Sequence, residues 1–225
     1  MKKVVKACLL TCSILATPIF SSFSVNAIAQ QDQQDPYVLF EAVTQQAFSR
    51  FKAEWPTVQK NPELLKSIIR EELMPYVDYE YAAFKVLGKY VRDVDAKDRK
   101  AFVDAFKEYI VTVYAQLFTQ YRDTQDIVVE KTNALSGDKI VVVKSRIIEP
   151  GRPDISVVFK LIYRSGNWGA FDMEAEGISM LNTKRKEIGA AMDRLGIKGI
   201  IEDLKDKASQ KLRLKEDESA NDTTS

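Results

Sequence analysis

ISVVFKLIYRSGNWGAFDMEA, residues 155–175, consists of two apolar runs joined by a short turn of serine, glycine and asparagine. The alternate positions of the first run are all apolar or aromatic: Ile155, Val157, Phe159, Leu161 and Tyr163. In the second run, Phe171 and Met173 alternate with carboxylates. A period of two residues around a glycine-containing turn predicts an antiparallel hairpin with one apolar face.

The same period extends upstream and predicts a sheet of four strands. They cover Ile127–Glu130, Ile140–Ile148, Ile155–Arg164 and Trp168–Ala175, with glycine-containing turns at 136–138, 149–153 and 165–167. In the second strand Val141, Val143 and Ile147 share the apolar face, while Lys144 and Arg146 point to the other. Short links between successive strands indicate an antiparallel meander.

Before and after the strands along the chain, apolar residues recur at helical spacing. The predicted helices run from Pro36 to Trp55, from Leu64 to Pro75, from Asp78 to Gly88, over 96–121, from Ile178 to Gly196 and over 198–208. Asp35, Asp78 and Asp95 are the expected N-caps. Helices before and after a block of strands predict an α+β domain with its helices on one side of the sheet.

The first 29 residues have the organisation of an export signal. Lys2, Lys3 and Lys6 precede an apolar run, and a small-residue cleavage motif ends at Ala29 or, nearly as well, at Ala27. We therefore expect residues 1–29 to be a signal peptide that is removed on export.

Both cysteines, Cys8 and Cys12, lie in this leader. A lipoprotein signal at Cys12 fits less well, because Thr11 precedes the cysteine and the cysteine comes early in the apolar run. The mature chain would have no disulfide and would rely on its core. We expect one domain over residues 30–210, followed by a charged, disordered tail over 211–225.

The chain contains no histidine. This excludes Ser-His-Asp hydrolases, zinc sites built on imidazole and haem with a histidine ligand. We expect no metal site and no cofactor. Without the three leader lysines, 30 basic residues face 32 acidic ones. That balance argues against a nucleic-acid partner, which would require a basic surface.

Three carboxylates at alternate positions of the last strand are candidates for acid–base chemistry: Asp172, Glu174 and Glu176. Same-side neighbours on a strand lie about 7 Å apart, which would suit an inverting glycosidase. The segment has one tryptophan, Trp168, and no cluster of asparagine or glutamine that would bind a sugar. We interpret the trio as the polar face of the strand and expect no catalytic residue. Trp168 is predicted to lie on the same face of the strand as these carboxylates.

The apolar face of the sheet allows two interpretations. It could be an ordinary core face packed directly on helices, which is the commoner arrangement. Alternatively, sheet and helices could stand apart and enclose an apolar pocket. The residues alone leave both open.

Several longer segments carry a family resemblance. LMPYVDYEYAAFKVLG (73–88) and WGAFDMEAEGISM (168–180) are the most specific, and DPYVLF (35–40) and AFVDAFKEYIVTVYAQLF (101–118) occur in the same order. Between about Asp35 and Lys207 the sequence resembles the toluene-tolerance family, also called the MlaC family.

The resemblance implies a monomeric periplasmic carrier and no enzymatic activity. Such a carrier holds glycerophospholipid by its acyl chains between a curved sheet and helices. It exchanges lipid with an inner-membrane ABC transporter complex, through an MCE-domain protein, and with an outer-membrane lipoprotein–porin complex. A periplasmic chaperone-like module for apolar polypeptides is the alternative.

On this resemblance the apolar sheet face becomes the wall for the acyl chains. We predict lipid contacts from the sheet residues Val143, Ile147, Val157, Phe159, Leu161, Phe171 and Met173, and from the helical residues Leu73, Val77, Phe84 and Leu87. Two chains carry about 30 methylenes at roughly 0.8 kcal/mol each, or on the order of 24 kcal/mol in water. The chains must therefore be almost fully enclosed.

Overall fold

The computed structural model of the protein describes residues 35–130 and 138–214. Within these ranges there are five α-helices: α1 (Pro36–Val58), α2 (Leu64–Ile68), α3 (Tyr79–Leu87), α4 (Ala96–Phe118) and α5 (Met180–Ser209). A π-helical turn, Ile69–Leu73, and a 3-10 turn, Met74–Tyr76, continue α2, and a 3-10 turn, Gly88–Arg92, follows α3. The predicted signal peptide, 1–29, lies outside the described residues.

The three predicted aspartate caps are confirmed. Asp35 accepts hydrogen bonds from the first backbone N–H groups of α1, and Asp78 and Asp95 do the same for α3 and α4. The predicted end of α1 at Trp55 is wrong, because the helix continues through Pro56 to Val58. A proline in the last turn removes only one intrahelical hydrogen bond, and Val58 is fully buried there.

The sheet is open and antiparallel, with the strands in chain order: β1 (Asp126–Val129), β2 (Ile140–Ile148), β3 (Ile155–Arg164), β4 (Asn167–Ala175) and β5 (Ile178–Ser179). The prediction of four strands is corrected to five. The short β5 occupies the place where the next helix was expected to begin, and Ser179 then caps α5. The turn predicted at 136–138 lies outside the described residues except for its last position.

β4 contains a bulge that changes which side chains share a face. Lys160 of β3 pairs with Asp172, but the next residue, Leu161, pairs with Ala170. Phe171 is therefore an extra residue without a cross-strand partner, and alternation restarts beyond it. The prediction that Phe171 shares a face with Met173 is wrong. The prediction that Trp168 lies on the same face as the carboxylates Asp172 and Glu174 is also wrong.

Two apolar clusters hold the fold together. The larger lies among all five helices and has Phe51, Phe102 and Leu65 at its centre. The smaller lies on the sheet, where Val143 packs with Phe40 from the beginning of α1. Since α1 contributes to both clusters, it connects the helical layer to the sheet.

α5 and the segment after it close the helical layer. α5 is interrupted at Gly196, whose φ of 60° is not helical, so the predicted division of this region into two helices is confirmed. Leu212 is buried, and its backbone N–H donates to Glu63 at 2.6 Å. The first residues of the predicted tail, 211–214, therefore pack on the domain, and 215–225 lie outside the described residues.

Candidate functional site

A cavity of about 310 Å³ lies between α1 and the apolar face of the sheet. Its sheet wall is formed mainly by inward-facing residues of β3 and β4: Val157, Phe159, Leu161, Trp168, Ala170, Met173 and Ala175. Its helical wall comes chiefly from one face of α1: Leu39, Phe40, Val43, Thr44, Ala47 and Phe48. The rings of Phe40 and Phe159 meet across it, with centroids 4.6 Å apart.

The contact between β4 and the segment after α2 places the third wall of the cavity. The Asp78 backbone N–H donates to the Ala170 carbonyl at 2.9 Å, and Val77 forms an isolated parallel bridge with Ala170. A Cβ on Gly169 would lie 3.0 Å from the Asp78 Cβ. Glycine at this position therefore allows the two backbones to approach, and Leu73, Tyr76 and Val77 reach the cavity as a result.

The cavity lining is mainly apolar and has no charged side chain. None of its residues, all of which belong to the described part of the chain, is an aspartate, glutamate, lysine or arginine. The Thr44 hydroxyl donates to the Phe40 carbonyl at 2.9 Å, and the Gln125 amide donates to Glu149 at 3.1 Å. These polar groups already have partners, so the cavity suits an apolar guest better than a charged one.

The cavity is open to solvent where its lining side chains are exposed. Leu117, Ile155 and Tyr76 each retain about 40% of their accessible surface, and Gln120 is also exposed. Large apolar side chains at an opening favour a guest whose apolar part enters the protein. A polar end could remain in water there.

Most of the residues predicted to contact lipid line this cavity: Ile147, Val157, Phe159, Leu161, Met173, Leu73 and Val77. Their contact with lipid stays a prediction. The remaining four do not line it. Val143 is fully buried in the sheet cluster, and Leu87 is buried in the helical core. Phe171 packs edge-on against Tyr81, and Phe84 lies on a separate surface groove.

The sequence pattern did not reveal that α1 and the segment after α4 line the cavity. Phe40 and Phe48 occur at helical spacing, which predicts a buried face but does not tell which neighbour covers it. Tyr121 closes the cavity from the end of α4. The helix predicted over 96–121 would have included Tyr121, whereas α4 ends at Phe118, and nothing in the pattern distinguished a cavity wall from core.

The carboxylate trio is not a uniform polar face. Asp172 is buried and accepts hydrogen bonds from Ser179 Oγ at 2.8 Å, from the Leu181 N–H at 3.1 Å and from Lys160 Nζ at 2.9 Å. It therefore joins the sheet to the beginning of α5. Glu174 is partly exposed. Glu176 lies in a turn, and its carboxylate accepts a hydrogen bond from the Ser156 N–H at 2.6 Å.

Among residues 35–130 and 138–214, no group of three or more acidic residues is arranged to hold a metal ion. The same ranges contain no helix that is both long and apolar enough to span a bilayer.

Comparison with known proteins identifies the family. The sequence profile described as "MlaC protein" matches residues 41–206, which is well over half of the chain. The chain belongs to the MlaC family. An MlaC relative from Haemophilus influenzae, the "Intermembrane phospholipid transport system binding protein MlaC", is 32% identical over 199 residues, which is 87% of this chain and 92% of the relative.

A solved structure has the same fold. It is that of the phospholipid-binding protein from Ralstonia solanacearum, determined in complex with a phospholipid. The superposition gives a TM-score of 0.69 at 17% identity and covers 78% of this chain and 98% of that chain. The family resemblance seen in the sequence is confirmed. The predicted α+β fold with an antiparallel sheet is also confirmed, with five strands in place of the predicted four.

Proposed function

We propose that this member of the MlaC family is a periplasmic carrier that binds a glycerophospholipid by its acyl chains in the cavity and carries it between membranes. The observation that supports this most directly is the cavity itself, which is walled by α1 and the sheet and has no charged lining residue. The names of the Haemophilus and Ralstonia proteins, one a phospholipid transport binding protein and the other a phospholipid complex, agree with it.

The energetics of such a carrier favour enclosure of the acyl chains and exposure of the headgroup. Each methylene gains roughly 0.8 kcal/mol on leaving water, whether it enters a bilayer or an apolar cavity. Transfer between bilayer and cavity is then nearly balanced, and this allows the carrier both to load and to release lipid. The cavity lies near the lower end of the usual range for ligand pockets, about 300–1,000 Å³. We therefore expect the rings of Phe40 and Phe159 to separate when two chains enter.

The proposal includes partners on both membranes. We expect the exported, monomeric carrier to exchange lipid with an inner-membrane ABC transporter complex that has an MCE-domain protein, and with an outer-membrane lipoprotein–porin complex. It would act by binding and release, without a catalytic residue and without a resident cofactor.

Extraction of the purified protein tests the proposal. Organic extraction and mass spectrometry should find glycerophospholipid in near-stoichiometric amount, and protein stripped of lipid should take it up again from vesicles. A preparation that contains no lipid and takes up none from vesicles would overturn the proposal. Co-purified apolar polypeptide in place of lipid would favour the chaperone-like alternative.

A further inference from the structure

A second concave surface lies on the helical layer, apart from the cavity. This groove of about 460 Å³ is formed by α3 and by the 3-10 turn that follows it, and we call it the α3 groove. Its lining combines aromatic and apolar side chains with cations: Tyr81, Phe84, Val91, Lys85, Lys89 and Arg92. None of these side chains lines the cavity. A lipid bound in the cavity therefore does not account for the groove.

The cations of the α3 groove have no acidic partner. Lys85, Lys89 and Arg92 are exposed, and none of them forms an ion pair with a carboxylate in the part of the chain that the structure describes. Glu80, the acidic residue of α3, lies 3.7 Å from Arg164 instead. The groove thus concentrates uncompensated positive charge, and an acidic occupant would complement it.

Gly88 brings a fourth cation to the α3 groove. Its φ of 56° and ψ of −120° suit glycine, which has no side chain to clash. A Cβ at this position would lie 3.1 Å from Nε and 3.2 Å from Nη2 of Arg185. The glycine therefore lets a guanidinium from α5 lie directly against the backbone of the groove. Arg185 is exposed and, among the described residues, has no ion pair either.

Charge and shape together restrict what the α3 groove could bind. Phe84 and Val91 provide apolar surface, and Lys85 Nζ lies 5.3 Å from the centroid of the Tyr81 ring. A flat bilayer surface would meet the exposed cations without entering the groove, and a free phosphate would leave the apolar surface uncovered. A protein segment that has carboxylates around an apolar side chain satisfies both. We propose that the α3 groove is a docking site for an acidic segment of a partner protein.

α3 connects this groove to the cavity. Val77, just before the helix, lines the cavity, and the nine residues of α3 separate it from Gly88. At 1.5 Å per residue the groove lies about 14 Å along the helix from that wall. A partner docked there would be held beside the cavity. The inference rests on the proposed carrier function, because a carrier must dock to load or release lipid, and it adds a surface and the chemistry of one partner.

A labelled peptide in which glutamates surround one leucine and one phenylalanine is the probe, and the same peptide with glutamine at every glutamate is its control. Fluorescence anisotropy would measure the binding of both to the native protein. The acidic peptide should bind about tenfold more tightly, the combined value of several exposed ion pairs. The difference should shrink as the salt concentration is raised to 1 M. Equal binding of the two peptides would overturn the proposal.

The double variant Lys85→Glu/Lys89→Glu reverses two charges of the groove. Lys52→Glu/Lys60→Glu is the matched control, because Lys52 and Lys60 are exposed and line neither the groove nor the cavity. The preference for the acidic peptide should disappear in the groove variant and remain in the control. An equal loss in both variants would overturn the proposal, since net charge alone would then explain the binding.

Two further measurements separate the alternatives. Sedimentation with phosphatidylglycerol vesicles would overturn the proposal if the groove residues are required for vesicle binding while the acidic peptide shows no preference, because the occupant would then be a membrane. Lipid extracted from the native protein and the groove variant should be equal in amount. If the peptide results hold but the native protein neither contains nor takes up lipid, the carrier function fails and the docking site stands.

Discussion

Val143 and Phe159 are cross-strand neighbours on the same face of the sheet, and they make a matched pair for testing the cavity. Val143 has no exposed surface and is packed within the sheet cluster, whereas Phe159 lines the cavity. We predict that Val143→Asp destabilises the fold, and that Phe159→Asp leaves the protein folded but without lipid.

The expected magnitudes follow from these two environments. An unpaired charge in a packed core costs about 3–5 kcal/mol, and in a chain of this size that lowers the melting temperature by roughly 6–20 °C. At Phe159 water can enter the empty cavity and hydrate the carboxylate. The cost is then mainly the lost burial of the phenyl ring, about 1.5–3 kcal/mol, or roughly 3–12 °C. A hydrated carboxylate in the wall cannot be covered by acyl chains without losing that water.

Circular dichroism melting and lipid extraction would be performed on the same preparations. Phe159→Leu is the control for volume and should melt near the native temperature and retain its lipid. If Phe159→Asp is folded and still carries a full complement of lipid, the chains do not contact this wall. If it unfolds as readily as Val143→Asp, the space beside Phe159 is ordinary core.

Further predictions concern the supports of the cavity. Asp172→Ala should lower the free energy of unfolding by about 2–4 kcal/mol in chemical denaturation, because three donors lose their acceptor. The amount of lipid per folded molecule should stay unchanged, which would show that Asp172 supports the fold and does not contact the lipid. Gly169→Ala should cost about 1–3 kcal/mol through its clash with Asp78, and a neutral result would refute the close backbone approach. The pKa of Tyr121 is raised from 10.0 to about 12, so its contribution to stability is complete below pH 10 and is lost as the pH rises toward 12. Tyr121→Phe should lack that part of the alkaline loss in pH-dependent unfolding, and an identical profile would contradict the buried hydroxyl.

Local patterns predicted the elements of this fold well, because each depends on residues close in sequence. The aspartate caps and the strand period are of this kind. The bulge at Phe171 is not, because an extra residue interrupts the period of two without leaving a mark in composition. Because of this one inserted position, Phe171 packs against Tyr81 and the larger helical cluster, and Trp168 faces the cavity.

The helical wall of the cavity could not be assigned for a different reason. Phe84 and Leu87 were predicted as helical contacts with the lipid, but the apolar face of a helix does not show which neighbour covers it. Only the tertiary arrangement tells that α1 covers the sheet and that α3 packs among helices. Leu212 was assigned to a disordered tail because its neighbours are charged. One buried apolar residue among charged ones produces no periodic pattern that the sequence could show.

The uncharged lining of the cavity has a consequence for handling the loaded protein. Ionic strength acts on charges, with a screening length of about 8 Å at 0.15 M salt and 3 Å at 1 M. The affinity for a cargo that is held without ion pairs should not change with ionic strength. Concentrated sulfate or phosphate even strengthens apolar burial. High-salt washes should therefore remove partners attached through the charged exterior and leave the lipid inside, whereas detergent, which competes for the acyl chains, should remove the lipid.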